Sequence, residues 1–278
     1  MPEVIYSPGS HKKTGLKQWR QMAVELVGGR ELIWRFFLRE FSARYRQSFF
    51  GYLWAVIPAI ATAATFTYLN HSGTLPIAKT EIPYPVYVLL GMTVWQLFAT
   101  GLTRSAQCLV NARAIITQIN FSRESLVIAA FCEAAFNFLI RIVVIAAAFA
   151  WFKVVPAWTV LLVPLMLIPF AVMIIGFGFI LALANGVFRD IGNSLTMLLA
   201  FAMFLTPVVY PPPTQGAKVL INYLNPVSPF VIAARDLTTQ GRLSQPTAWL
   251  WASVFGVSVC LICWRIFHLA MTRIAERV

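Results

Sequence analysis

The sequence predicts an all-α polytopic membrane protein with six spanning helices. Three observations carry that expectation. Apolar residues make up 59% of the 278-residue chain, and its mean hydropathy is +0.73. They gather into long runs, several close to the roughly 20 residues a helix needs to cross a hydrocarbon core about 30 Å thick. The charge, formally +12, flanks these runs rather than interrupting them. A pI of 10.0 also fits a nucleic-acid binder. That reading needs a soluble basic surface, whereas basic residues beside apolar runs are the membrane pattern.

Taken in order, residues 1–30 form a polar leader, and its first 16 residues carry Pro, Gly and Lys. Residues 31–46, ELIWRFFLREFSARYR, place Leu32, Ile33, Phe36, Phe37 and Phe41 at helical spacing, with Arg35, Arg39, Ser42 and Arg46 on another face. This predicts a basic amphipathic helix along the membrane surface, with Trp34 and Tyr45 at interfacial depth. Its alternative is a helix packed on the rest of the protein. The first span is expected over Phe50 to Leu69 with Pro58 inside it, and the second over Tyr84 to Leu102. Residues 104–125, RSAQCLVNARAIITQINFSRES, are too polar to span and too patterned for a plain loop. They predict a short amphipathic helix suited to docking a partner.

The third span, Leu126 to Phe152, contains Glu133, Asn137 and Arg141 on one helical face. Charge inside hydrocarbon is costly unless paired or wet, so this face reads as a buried polar network or as part of a transport path. The fourth span is expected over Val160 to Ala184, followed by the charged connection NGVFRDIGNS with Arg189 and Asp190. The fifth runs over Leu195 to Tyr210 and stops at Pro211 to Pro213. Two apolar segments, Val219–Leu224 and Pro229–Ala234, are too short to cross and predict re-entrant helices. The last span covers Ala248 to Ala270.

Six spans put both termini on one side. The termini and the two connections on that side hold 16 Lys and Arg, nine of them in residues 1–49; the opposite connections hold five. The positive-inside rule then expects both termini in the cytoplasm. No classical signal peptide is seen; the leader reaches its first apolar run only near residue 50 and is expected to stay cytoplasmic.

No phosphate-binding Gly-rich loop, HExxH or nucleophile triad occurs. His11, His71 and His268 lie too far apart to predict a metal site, so no metal is expected. Cys260 and Cys263 form C-x-x-C inside an apolar run without a second pair, and read as small buried residues. An active transporter of this composition needs an ion gradient or an energy-supplying partner. A chain of six spans without internal duplication also suits half of a symmetric pore.

The chain resembles the polysaccharide-export branch of the type-2 ABC transporter permeases, the O-antigen and teichoic-acid exporter family. The resemblance covers about residues 28–275 and rests on ELIWRFFLREFSARYRQSFFGYLWAVIPA at 31–59, NARAIITQINFSRES at 111–125, NGVFRDIGN at 185–193, and TPVVYPPP followed by LNPVSPFVIAARDL. It implies a transmembrane permease domain over 31–278 in a bacterial inner membrane, without a catalytic site or cofactor of its own. The implied partners are a second copy of the chain, two cytoplasmic ATPases that carry ATP and Mg, and an undecaprenyl-diphosphate-linked polysaccharide. Residues 31–46 become an interface helix beside the substrate entrance, where Arg35, Arg39, Arg44 and Arg46 would attract the diphosphate. The 104–125 region becomes the coupling element, with Asn111, Arg113, Gln118, Asn120, Arg123 and Glu124 toward the ATPase; Arg189 and Asp190 fall at the second cytoplasmic connection. Residues 211–246 become the periplasmic re-entrant region, with Pro207, Tyr210, Pro211, Asn225 and Pro226 as gate candidates. An ABC exporter of another lipid or drug-like substrate, or a proton-coupled secondary transporter, would use the same architecture.

Overall fold

The computed structural model describes residues 16–45, 56–73, 80–116, 118, 121–212, 219, 222 and 224–275, with side chains from residue 19 to 42 and up to 271 at the two ends. Among these residues every regular element is helical. The order is α1 (Leu16–Gly28), α2 (Arg30–Tyr45), α3 (Ile57–His71), α4 (Tyr84–Asn111), α5 (Arg113–Ile116) and α6 (Glu124–Trp151). A 3-10 turn (Trp158–Leu162) leads into α7 (Val163–Met166), α8 (Ile168–Val187), α9 (Asp190–Leu205), α10 (Ser228–Thr239) and α11 (Pro246–Ala275).

Among the described residues four stretches are long and apolar enough to cross a membrane: Tyr84–Asn111, Glu124–Trp151, Trp158–Val187 and Pro246–Met271. The fifth expected span, Leu195 to Tyr210, is displaced rather than shortened: it lies five residues earlier. Helix α9 has 16 residues and ends at Leu205, because Pro207 disfavours helix in the residue before it and Thr206 is extended at ψ 139°. The described part of the first expected span is α3, with 15 residues; residues 50–55 lie outside the described set. Pro164 and Pro169 each sit in the first turn of a helix, where a missing N–H is no loss, and the chain breaks between them at Leu167.

The separate helix predicted over 104–125 is corrected by the structure. Residues 104–111 continue α4 without a break, because Ser105, Ala106, Cys108 and Leu109 are buried and no Pro or Gly interrupts them. Only the four residues of α5 form a helix of their own. The leader in turn holds a helix, α1, that its composition did not announce. Of the two expected re-entrant segments, the second lies within α10, which is buried from Ser228 to Thr238; in the first, residues 220, 221 and 223 lie outside the described set.

Helix α4 is the axis of the fold: 72% of its spanning window is buried, against 11% for α11. It packs along α6 and α8, and α8 packs along α11. Small residues permit these approaches. A Cβ on Gly178 would sit 2.7 Å from Ser105 Oγ of α4, and one on Gly176 would sit 2.6 Å from Cys260 Cα of α11. An aromatic stack, Trp95–Phe98–Phe170–Phe230, ties α4 to α8 and α10 with centroid spacings of 5.6, 5.9 and 4.8 Å.

These contacts sort the connections onto two ends of the bundle. The N-terminal helices, the α4–α6 connection, the α8–α9 turn and the end of α11 share one end. The starts of α4 and α11, residues 152–168, 206–212 and 224–246 share the other.

Candidate functional site

At the first end, α2 lies on α6 through aromatic rings. Phe36 and Phe37 are buried, Phe41 meets Phe136 edge-on at 4.8 Å, and Phe36 meets Phe121 at 5.3 Å. The predicted apolar stripe is therefore the packing face of the helix. Trp34 and Leu38 point away from it and are exposed. Arg35 pairs with Glu31 at 2.6 Å; Arg39 pairs with Glu40 at 2.6 Å and lies 5.2 Å over the Phe36 ring. The Arg35–Glu31 pair is exposed and worth about 1 kcal/mol or less, whereas the Arg39–Glu40 pair is half-buried beside the Phe36 ring. Arg44 lies on α2 with its side chain outside the described set, and Arg46 lies outside it altogether.

Beneath α2 a crevice of about 30 Å³, room for a water or two, is lined by Phe36, Arg39, Glu40, Arg104, Asn111 and Glu133. Glu133, Asn137 and Arg141 are all buried on one face of α6, as their spacing predicts. The sequence did not disclose Arg104 as a partner for this face. Its Nε lies 3.6 Å from Glu133 Oε1, so a residue expected in the partner-docking segment belongs to the intramembrane polar face.

The connection between α4 and α6 is divided. Asn111, Arg113 and Gln118 are exposed, as docking side chains must be, and Asn120 lies outside the described residues. Arg123 and Glu124 point inward instead. Arg123 Nη1 donates to the Met271 carbonyl at 2.8 Å. Glu124 is buried, with Oε2 accepting from Ser122 Oγ at 2.7 Å and Oε1 2.8 Å from His268 Nδ1. Their charges looked like those of an exposed loop because their two partners lie more than 140 residues away on α11. Arg189 and Asp190 are exposed at the α8–α9 turn. Asn185, read from the sequence as part of that connection, is buried and fastens the turn: its Nδ2 donates to the Ala106 carbonyl at 2.9 Å and its Oδ1 accepts from the Gly192 N–H at 2.8 Å.

At the second end, residues 206–210 run without regular structure between α9 and the segment leading to α10. Their carbonyls are met in sequence by side chains from elsewhere. Arg235 Nη1 donates to the Pro207 carbonyl at 3.3 Å and Nη2 to Val208 at 2.9 Å. Tyr84 Oη donates to Val209 at 2.8 Å and Tyr87 Oη to Tyr210 at 3.2 Å. Arg235 Nη1 also donates to Tyr87 Oη at 2.6 Å, with its guanidinium 3.6 Å over that ring. Gly91 of α4 makes the approach possible, since a Cβ there would collide with the Val208 carbonyl.

This knot collects several of the predicted gate residues. Pro207 is buried, and Pro211 and Pro226 are half-buried. Tyr210 donates to the Phe204 carbonyl at 2.9 Å. Asn225 Nδ2 reaches Thr206 Oγ1 at 2.7 Å while its Oδ1 accepts from the Val227 N–H at 3.0 Å. Arg235, Tyr84 and Tyr87 were the residues missed. Arg235 counted as a cation of an outer connection; it is a buried side chain on α10.

Among the described residues no three His, Cys, Asp or Glu side chains cluster as metal ligands would, and all four cysteines are free. Cys260 and Cys263 lie half-buried on α11, with Cys260 against Gly176.

Comparison with known proteins agrees with this arrangement. Three curated relatives are O-antigen export system permease proteins named RfbA. The one from Myxococcus xanthus is 27% identical over 255 residues, which is 89% of this chain and 90% of that protein. Two from Klebsiella pneumoniae are 25% and 24% identical over 210 residues, each covering 74% of this chain and 79% of its own length. The sequence profile of the ABC-2 type transporters matches residues 31–238, from α2 through α10. With its axial α4, its apolar spans and that match, this multi-pass membrane chain is a transport subunit rather than an enzyme, and it belongs to the ABC-2 type transporter family.

Proposed function

We propose that this chain is the permease subunit of an ATP-driven exporter that moves an undecaprenyl-diphosphate-linked, O-antigen-like polysaccharide across a bacterial inner membrane. The observation that carries the reading is the likeness to the O-antigen export permeases, which extends over 89% of the chain. Two copies form the conduit, and two cytoplasmic ABC ATPases, holding ATP and Mg, dock on the exposed residues of the α4–α6 connection. Helix α3, the four long spans and α9 make six crossings, with both termini cytoplasmic. Helix α10 is re-entrant, and the knot at 206–210 lies toward the periplasm.

The lipid-linked diphosphate enters beside α2. Arg35 and Arg39 are placed to meet it, Arg35 holding only an exposed carboxylate now and Arg39 a half-buried one; Arg44 and Arg46 extend the same positive run. A guanidinium matches phosphate oxygens with two parallel hydrogen bonds and keeps its charge at any physiological pH. ATP-driven closure of the ATPases then pushes on the connection and shifts the two permease copies against each other. Co-purification with candidate ATPases, followed by ATP hydrolysis with and without glycan lipid, tests the reading. A retained ATPase stimulated by the glycan lipid is expected; a chain that holds no ATPase overturns it.

A further inference from the structure

Residues 264–271 of α11 are gripped from two sides. From one side come Arg123, on the Met271 carbonyl at 2.8 Å, and Glu124, at 2.8 Å from His268. From the other comes α1, whose Trp19 meets Trp264 edge-on at 5.8 Å and whose buried Met22 places its sulfur 3.8 Å from Arg265 Nη1. The two grips are themselves joined. The backbone at Gly29, between α1 and α2, passes so near α6 that a Cβ there would sit 2.9 Å from Ser125 Oγ.

Each contact suits its place electrostatically. Glu124 lies in the first turn of α6, where the helix dipole favours a carboxylate, and Arg123 meets α11 near its C-terminal end, where the dipole favours a cation. Helix α11 cannot yield alone at this point, because Gly176 holds it against α8 and Trp249 Nε1 donates to the Met166 carbonyl at 3.2 Å near its other end.

We infer that the α4–α6 connection has a second output: its exit at Ser122–Ser125 is latched to the end of α11, so displacement of the connection moves the α8–α11 pair and the N-terminal helices together with α6. The inference rests on the reading that an ATPase docks on this connection. His268 is a positioning residue in this scheme, since it holds Glu124 and touches neither ATPase nor substrate. Its removal loosens the latch without altering the exposed docking residues Asn111, Arg113 and Gln118.

The test uses the full permease–ATPase complex in proteoliposomes, scoring glycan lipid exported per ATP hydrolysed. For His268→Ala, that ratio is expected to fall about tenfold, the scale of one lost charge-assisted hydrogen bond, with ATP hydrolysis per complex retained. His268→Gln keeps an N–H toward Glu124 and is expected to stay within about twofold of the parent, because the hydrogen bond rather than the ring carries the latch. An unchanged ratio in His268→Ala, or export and hydrolysis falling in proportion, overturns the latch. A parent chain that retains no ATPase overturns the underlying reading instead.

Discussion

The two ends of this bundle solve opposite problems with the same kind of irregular backbone. At the 206–210 end, four successive carbonyls are each met by a side chain from α4 or α10. At the α4–α6 connection, Asn111, Arg113 and Gln118 are exposed, and the exit is fastened by Arg123 and Glu124. The difference follows from solvent. Backbone buried away from water must find its donors in the protein, whereas polar groups on an exposed connection can pair with water.

The largest effect expected is at Arg235. Arg235→Ala leaves the Pro207 and Val208 carbonyls without these donors and is expected to cost about 3 kcal/mol or more. The thermal unfolding midpoint of the detergent-solubilised chain reads this out. Arg235→Lys should recover only part of it, because one ammonium cannot reproduce the planar fork. A next, smaller loss of about 1–3 kcal/mol is expected for Tyr87→Phe, which removes one hydroxyl that both accepts from Arg235 and donates to Tyr210. Near-parent stability in either variant would show that the knot is not what holds this end.

Asn185→Ala probes the first end and is expected to cost about 1–2 kcal/mol, because the α8–α9 turn loses its tie to α4. The smallest change in stability, within about 0.5 kcal/mol, is expected for Arg113→Ala on the exposed connection. That variant should nevertheless weaken ATPase co-purification. An Arg113→Ala chain as unstable as the Arg235→Ala one would erase the contrast between the two ends.

Much of the fold was legible because hydrocarbon imposes a length. The spans at 84–102 and 248–270 lie within α4 and α11, that at 126–152 overruns α6 by one residue, and the spacing of Glu133, Asn137 and Arg141 placed all three on one buried face. What was hidden depends on partners remote in the chain. Arg123 and Glu124 look like any charged loop until α11 arrives beside them. Arg235 follows an apolar run and reads as a flanking cation, since nothing local announces that its acceptors are backbone atoms 27 and 28 residues earlier. The fifth span was expected to run to Tyr210 and stop at Pro211–Pro213, whereas Pro207 already ends α9 at Leu205; Tyr84 and Tyr87, which hold the residues beyond it, lie more than 120 residues upstream. The extent of α4 was misjudged for a related reason: its polar last turns look unsuited to a span, yet their small residues pack on α8.

The counter-charge of Arg235 has a consequence for the protein's tolerance of its surroundings. The guanidinium donates to two backbone carbonyls and a phenol and lies over an aromatic face, with the Asp236 carboxylate a neighbouring charge rather than a hydrogen-bond partner. Burial keeps mobile ions away from these contacts. High salt, which weakens the exposed Arg35–Glu31 pair, should therefore leave this end of the bundle closed and intact.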